Sequence, residues 1–419
     1  MTKNASQRAS ANTEALRRLC ESEPVLTDVR PAVEVVPGMT KTTVLTSGPA
    51  MPWAEYIGRQ RDAIIGGVIF EGLAGDATEA EAKLAANEVA IDACHDHGCV
   101  GSVAGIYTAS MPVFVVENRA FGNTGFCNFY EGDSPRRLNY GCYDAAVFER
   151  LQFANDVLAP VLQGAVRRLG GISLKPLMQR ALHQGDELHS RNTAATLLFA
   201  REIFPALLDI AADDRDGVDH TVRTLASGDY FFLRLSMAAA KAIADAAHGI
   251  EASSIVTAMS ISCKNFAIRV SGLDDEWFMG PHATIEAKLF DGHTEDEITW
   301  MGGESIITET VGLGGFAQAA AFPLQAYQGG SADVMIARNA EMYSITAGEN
   351  TVFRIPYFGY RGTPTGIDIF KVVESGIMPV MDGGIGGRDG GQIGAGVLRA
   401  PVDSFLAAVQ GYSDRYLAA

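Results

Sequence analysis

The densest run of chemically capable side chains is Gly185-Asp186-Glu187-Leu188-His189-Ser190-Arg191-Asn192. On a helix, Asp186, His189 and Asn192 follow one another at i, i+3 spacing along one side, while Glu187 and Arg191 form an i, i+4 pair. One stripe is suited to substrate and the other locks the helix. A histidine beside a carboxylate shuttles protons near neutral pH, and an asparagine or arginine stabilises an oxyanion. The alternative is an exposed helix carrying an ordinary surface ion pair.

Three further stretches invite chemistry. Residues 301–321 place Gly302-Gly303 and Gly312-Leu313-Gly314-Gly315 before a small-residue segment. That order predicts free backbone N–H groups at a helix start, an anion cradle at Gly314 and Gly315. Glu304 and Glu309 lie in the same segment as acids, bases or caps; close helix-on-sheet packing is the alternative reading. Residues 382–401 hold eight glycines from Gly383 to Gly396, Gly394 among them, with Arg388 inside the run and Arg399 just after it. Ordering such a loop is costly, so it is expected to wrap a ligand, with the arginines supplying positive charge; a flexible surface loop is the alternative. Cys94-His95-Asp96-His97-Gly98-Cys99 tempts a zinc reading, but the ligands are bunched and no second cluster matches them, so no metal is assigned. Asn118, Asn128 and Glu131 instead follow apolar strands, where α/β proteins place a ligand crevice.

Several familiar chemistries are absent. There is no Gly-Lys pair, hence no P-loop, and neither H-E-x-x-H nor G-x-S-x-G occurs. A strict G-x-G-x-x-G is also missing, so a nicotinamide site is unsupported and no cofactor is expected.

The elements that must position these residues fall into blocks. Residues 5–22 read as an amphipathic helix free to dock on a partner, and 24–37 as a Pro-punctuated connector, together forming segment 1–40. Residues 41–144 read as an α/β domain, with apolar runs at 42–45, 63–70 and 111–117 and one clear helix at 78–87. Apolar residues then recur at helical spacing through a central helical domain, 145–250. Strands return after 253, at 254–259, 266–270 and 351–355, in an α/β or α+β domain at 251–419, whose acidic stretch 272–299 reads as a solvated excursion. The fold class expected is α/β (α+β) multi-domain: two Gly-rich regions flanking a helical one.

Composition bounds the function. Of 419 residues, 50 are Asp or Glu and 33 Lys or Arg, a formal charge of −17 that repels nucleic acid and anionic lipid. Any anionic ligand must be held by local groups. Six sparse cysteines, a polar N-terminus and no apolar run of membrane length predict a reduced, soluble, cytoplasmic protein.

The sequence resembles the YlbE-like (AllG-like) family, long a domain of unknown function, along nearly its whole length from about Ser47. Matching segments include Gly48-Pro49-Ala50-Met51 with Trp53, Val116-Glu117-Asn118, Cys127-Asn128 with Glu131-Gly132, Gly185-Asp186-Glu187 with His189, and Arg191-Asn192. They continue through Arg269-Val270-Ser271-Gly272, Ile307-Thr308-Glu309-Thr310, Gln392-Ile393-Gly394-Ala395-Gly396 and Arg399-Ala400-Pro401. The chain departs from the family at Asp96 and Cys99. The resemblance implies one subunit of an oxamate carbamoyltransferase in allantoin breakdown, working with FdrA-like and AllH-like subunits in an oligomer. It implies phosphorolysis of oxalurate, or a related ureido acid, to oxamate and carbamoyl phosphate.

Such a reaction suits the residues above. Both substrates are anions, for which Arg269, Arg399 and the two glycine cradles are candidates. Transfer passes through a tetrahedral oxyanion and needs a proton for the departing amide nitrogen. His189, oriented by Asp186, is the expected donor, with Asn192 or Arg191 facing the oxyanion. The usual S-T-R-T-R and H-P-x-Q carbamoyltransferase motifs are missing, so the activity would use an unrelated fold. The alternatives are a ureido-compound hydrolase and a non-catalytic scaffold or ligand-binding subunit.

Overall fold

The computed structural model describes residues 3–417. Helix α1 (Lys3–Glu21) buries Ala15 and Leu19 against the rest of the chain, and its Asn12 donates to Ser254 Oγ (2.9 Å) and Asp368 Oδ2 (3.1 Å). Its apolar face is thus covered by its own chain. The connector expected at 24–37 is instead strand β1 (Pro24–Pro31) and the single turn α2 (Ala32–Val35). Its prolines stand at the two ends of the strand, where lost N–H donors matter least.

Strands β2 (Thr43–Thr46) and β3 (Ala90–Ala93) form a small parallel pair, with helices α3 (Gly58–Phe70) and α4 (Ala77–Ala85) between them in sequence. The run 63–70, which β-branched residues suggested as a strand, is the buried part of α3. A helix buried on most sides loses its polar stripe, and periodicity cannot then tell it from a strand. The helix expected at 78–87 is α4, capped by Asp76 accepting from the Glu79 N–H (2.9 Å).

Strands β4 (Cys99–Val100), β5 (Pro112–Asn118), β6 (Thr124–Asn128) and β7 (Ile172–Ser173) join β1 in a five-stranded sheet ordered β4-β6-β5-β1-β7. The helical stretch comprises α5 (Ala145–Phe153), α6 (Ala159–Arg168), α7 (Leu174–Leu182), α8 (Thr193–Ile210), α9 (Arg215–Ser227) and α10 (Leu233–Ala246), of which α6, α7 and α10 pack on this sheet. Helix α10 is buried along nearly its entire length, including Arg234 and Lys241. It lies so close to β6 that a Cβ on Gly125 would stand 2.5 Å from the Ala238 carbonyl oxygen.

The remainder forms a second core under β8 (Val256–Ile261), β9 (Phe266–Val270) and β10 (Phe278–Gly280), beside a four-stranded antiparallel sheet. That sheet comprises β11 (Thr284–Leu289), β12 (Ile298–Thr299) and, after a hairpin of β13 (Thr346–Ile355) and β14 (Arg361–Ile367), β15 (Val380–Gly387) and β16 (Gln392–Arg399). Two expectations are corrected here. The stretch 272–299 is not a solvated excursion but contains β10 to β12; β11 is an edge strand whose mostly exposed side chains look like loop in sequence. The glycines of 383–396 build the β15–β16 hairpin, and added Cβ atoms on Gly394 and Gly396 would meet the β11 backbone at 2.7 and 2.5 Å. Mixed helix and sheet in several packed units make the fold α/β. Among the described residues all six cysteines are unpaired, and no helix is long and apolar enough to cross a membrane.

Candidate functional site

Residues 185–192 connect α7 to α8 as a loop, which corrects the helical spacing expected of them. Gly185 (φ +96°) and Leu188 (φ +72°) take left-handed backbone, which a leucine adopts only where its surroundings force it. Leu188 is fully buried; its N–H donates to the Arg191 carbonyl (3.1 Å) and its carbonyl accepts from Ser236 Oγ on α10 (2.9 Å). Polar side chains then bind nearby backbone in competition with a helix. Glu187 accepts from the N–H groups of Ser190 and Arg191, the latter at 2.8 Å. Asp186 accepts from the Ala195 N–H in the first turn of α8 (2.8 Å), and Asn192 Nδ2 donates to the His189 carbonyl (2.7 Å). Arg191 lies 3.4 Å from Asp186 and donates to the Gly185 carbonyl (3.0 Å), so it pairs with Asp186 and not with Glu187. Burial pushes the Asp186 carboxyl up to about 6.

His189 is oriented from 120 residues away, by Glu309, and not by Asp186. Its Nδ1 donates to Glu309 Oε1 at 2.8 Å, with both side chains buried. The same Oε1 accepts from the N–H groups of Gly315 (3.0 Å) and Asp382 (2.9 Å), and Thr308 Oγ1 donates to Oε2 (2.8 Å). Burial opposes the charged ring, but Glu309's charge and hydrogen bond outweigh it and hold the His189 pKa above the ordinary histidine value. The expected cradle at Gly314 and Gly315 is therefore occupied by the protein itself. Gly315 serves Glu309, the Gly314 N–H donates to the Glu187 carbonyl (2.8 Å), and short 3₁₀ turns replace the expected helix. The turn α11 (Ile307–Thr310) delivers Glu309.

His189 lines a two-lobed cleft. Its lobe also holds Arg137, Asn139, Tyr140, Tyr230 and Arg234; the neighbouring lobe holds Trp300, Met301, Gly303, Ile306 and Asp382. Val103, Ser305 and Gly384 line both. Val103 is a β-branched residue at φ +55°, a strained conformation of the kind found at binding sites. Buried Asp382, whose Oδ1 accepts from Gln318 Nε2 (2.6 Å), is held above the usual carboxylate range by burial and by the charge of Glu309.

The spacing-based reading missed Arg137 and Arg234. Arg137 Nη2 donates to Gln392 Oε1 (2.7 Å) and its guanidinium lies 4.8 Å from the Tyr140 ring centroid; Arg234 Nη1 donates to Asn128 Oδ1 (3.1 Å). An arginine inside the apolar stretch 231–240 was the available signal for Arg234.

Other expected residues serve this lobe or lie elsewhere. Asn128 anchors Arg234, and Glu131 accepts from the N–H groups of Leu138 (2.6 Å) and Asn139 (3.1 Å), shaping the loop that carries Arg137. Asn118 binds Ser22 and the Ala242 carbonyl at the far end of α10. Arg269 pairs with Asp96 and packs over Trp277, while Arg399 pairs with Glu341 (3.0 Å). Gly394 lies within the hairpin. Glu304 accepts from the N–H groups of Gly48 (3.1 Å) and Gly101 (2.8 Å) and from Ser260 Oγ (2.9 Å). Among the described residues, no three His, Cys, Asp or Glu side chains are grouped to hold a metal, the 94–99 cluster included.

Comparison with known proteins places these features in a lineage. A family model described as "Oxamate carbamoyltransferase subunit AllG" matches residues 89–305, which include Arg137, His189, Arg234 and Glu304. "Uncharacterized protein YahG" of Escherichia coli (strain K12) is 40% identical over 410 residues, 97% of this chain and 86% of that protein. "Oxamate carbamoyltransferase subunit AllG" of the same organism is 37% identical over 411 residues, 97% of this chain and 98% of that one. A crystal structure of a conserved protein of unknown function from Enterococcus faecalis V583 superposes with a TM-score of 0.96 at 35% identity, covering 99% of this chain and all of that one. With a matching family model and a relative of that name aligned almost end to end, this chain belongs to the AllG family.

Proposed function

We propose that the chain is a subunit of a carbamoyltransferase that interconverts oxalurate plus phosphate with oxamate plus carbamoyl phosphate, in allantoin and purine nitrogen breakdown. The observation that carries this reading is the buried His189–Glu309 pair, whose histidine lines a polar cleft, in a chain belonging to the AllG family. In the forward direction a phosphate oxygen attacks the carbamoyl carbon and the C–N bond to the oxamate nitrogen breaks. Hydrogen phosphate gives up one proton and the leaving nitrogen gains one, so the reaction balances without another reactant. His189, whose protonated form Glu309 favours, is suited to deliver that proton. FdrA-like and AllH-like subunits are the proposed partners.

Two measurements test the proposal. Oxalurate consumption by the chain with those partners should require phosphate or arsenate; equal turnover without either would establish a hydrolase. His189→Ala should lower turnover roughly 100-fold or more with the assembly intact, and near-normal turnover would remove His189 from the mechanism.

A further inference from the structure

We infer that Arg137, Arg234 and Asn139 form the seat for the carboxylate of a small, flat acid. All three line the His189 lobe and are at least nine-tenths buried, at 8%, 3% and 3% exposure. Each retains a buried N–H donor with no partner: Nε of both arginines and Nδ2 of Asn139. Among the described residues no Asp or Glu forms an ion pair with either arginine. Glu131 acts on Arg137 by charge, but its own oxygens are taken by the N–H groups of Leu138 and Asn139. Burying a guanidinium without a counter-charge is costly, and two in one lobe more so, so the arrangement is explained by a ligand that supplies the charge. A planar guanidinium edge with additional N–H donors suits a carboxylate.

The rest of the lobe favours a flat acid over tetrahedral phosphate. Tyr130, Tyr140, Tyr230 and Tyr327 line it, and the Arg137 guanidinium already lies 4.8 and 5.7 Å from the ring centroids of Tyr140 and Tyr130. Tyrosine faces stack on planar groups. The seat rests on the proposed function only in the choice of oxamate as a test ligand; the anion chemistry stands without it.

The test is calorimetric titration of the full chain with oxamate, oxalate and inorganic phosphate separately, with thermal melts of each ligand-free variant. Oxamate and oxalate should bind the wild type, and Arg137→Gln and Arg234→Gln should each weaken both by about tenfold or more. Because each substitution removes an uncompensated buried charge, the ligand-free variants should melt no lower than the wild type. Unchanged affinity in both variants, no binding of either acid by the wild type, or lower melting with affinity preserved overturns the assignment. Phosphate binding lost in the variants while the acids still bind would assign the arginines to phosphate instead. Arginine-dependent oxalate binding without phosphate-dependent oxalurate turnover would leave the seat standing and the carbamoyltransferase reading overturned.

Discussion

The His189–Glu309 pair has a pH signature of its own. Burial disfavours the charged His189 ring, but Glu309 outweighs it and holds the His189 pKa above the ordinary value of 6.5, which favours the protonated ring. If protonated His189 donates to the leaving nitrogen, activity falls as pH rises through that elevated pKa. Glu309→Gln removes the carboxylate and leaves burial, which disfavours the charged ring, as the main influence. The alkaline limb of kcat should then move to lower pH and maximal turnover should drop; an unmoved limb would separate His189 from the proton transfer. The same pair stabilises the fold fully below the unfolded pKa of histidine and loses that contribution as pH rises through the folded one. His189 was legible in sequence because polar residues crowd around it. Glu309 was not legible as its partner, because 120 residues separate them and no local pattern connects a loop after α7 to the turn α11.

At the scale of elements, the approach of β6 to α10 fixes where Arg234 sits. Gly125→Ala would place a Cβ 2.5 Å from the Ala238 carbonyl oxygen and 2.8 Å from the Ala242 nitrogen, both backbone atoms. Relief requires moving a helix buried on all sides. We expect a loss of about 1–3 kcal/mol in denaturant-measured stability, the usual cost of overpacking, and weaker acid binding as Arg234 shifts; wild-type stability in this variant would refute the rigid contact. Elements whose apolar residues recur at regular helical spacing were readable in sequence, such as α4 and the helices of 145–250, and β9 was located to the residue. Those whose environment erases the pattern were not: α3 because it is buried on most sides, β11 because it lies on an exposed edge, and 185–192 because Asp186 and Glu187 capture backbone N–H groups that a helix would use. The glycine surplus was visible, but its purpose is tertiary. Gly394 and Gly396 admit the β11 backbone, and Gly315 presents an N–H to the protein's own carboxylate.

Across the whole molecule, Glu304 is the joint between parts of the chain far apart in sequence. Its carboxylate gathers the N–H of Gly48 after β2, the N–H of Gly101 after β4 and the hydroxyl of Ser260 on β8, beside a β-bridge between Ile261 and Gly303. This same connection closes the cleft, since Gly302, Gly303 and Ser305 on either side of Glu304 line it. Complete burial raises Glu304 from 4.5 to about 7, the three donors only partly offsetting it. Between those values the folded chain holds a proton that the unfolded chain has released. Stability from this group is therefore fully present below the unfolded pKa and declines as pH climbs through the folded one. Glu304→Gln cannot ionise, and it replaces one acceptor oxygen with an NH₂ that faces N–H donors, a penalty that does not titrate. Melting temperatures of both proteins followed from about pH 5 to about pH 8 isolate the linkage, because every other titrating group is common to them. The wild type's margin over Glu304→Gln should shrink steadily as pH rises; a constant or widening margin would mean that Glu304 is ionised in the fold throughout, with the donors of Gly48, Gly101 and Ser260 outweighing burial.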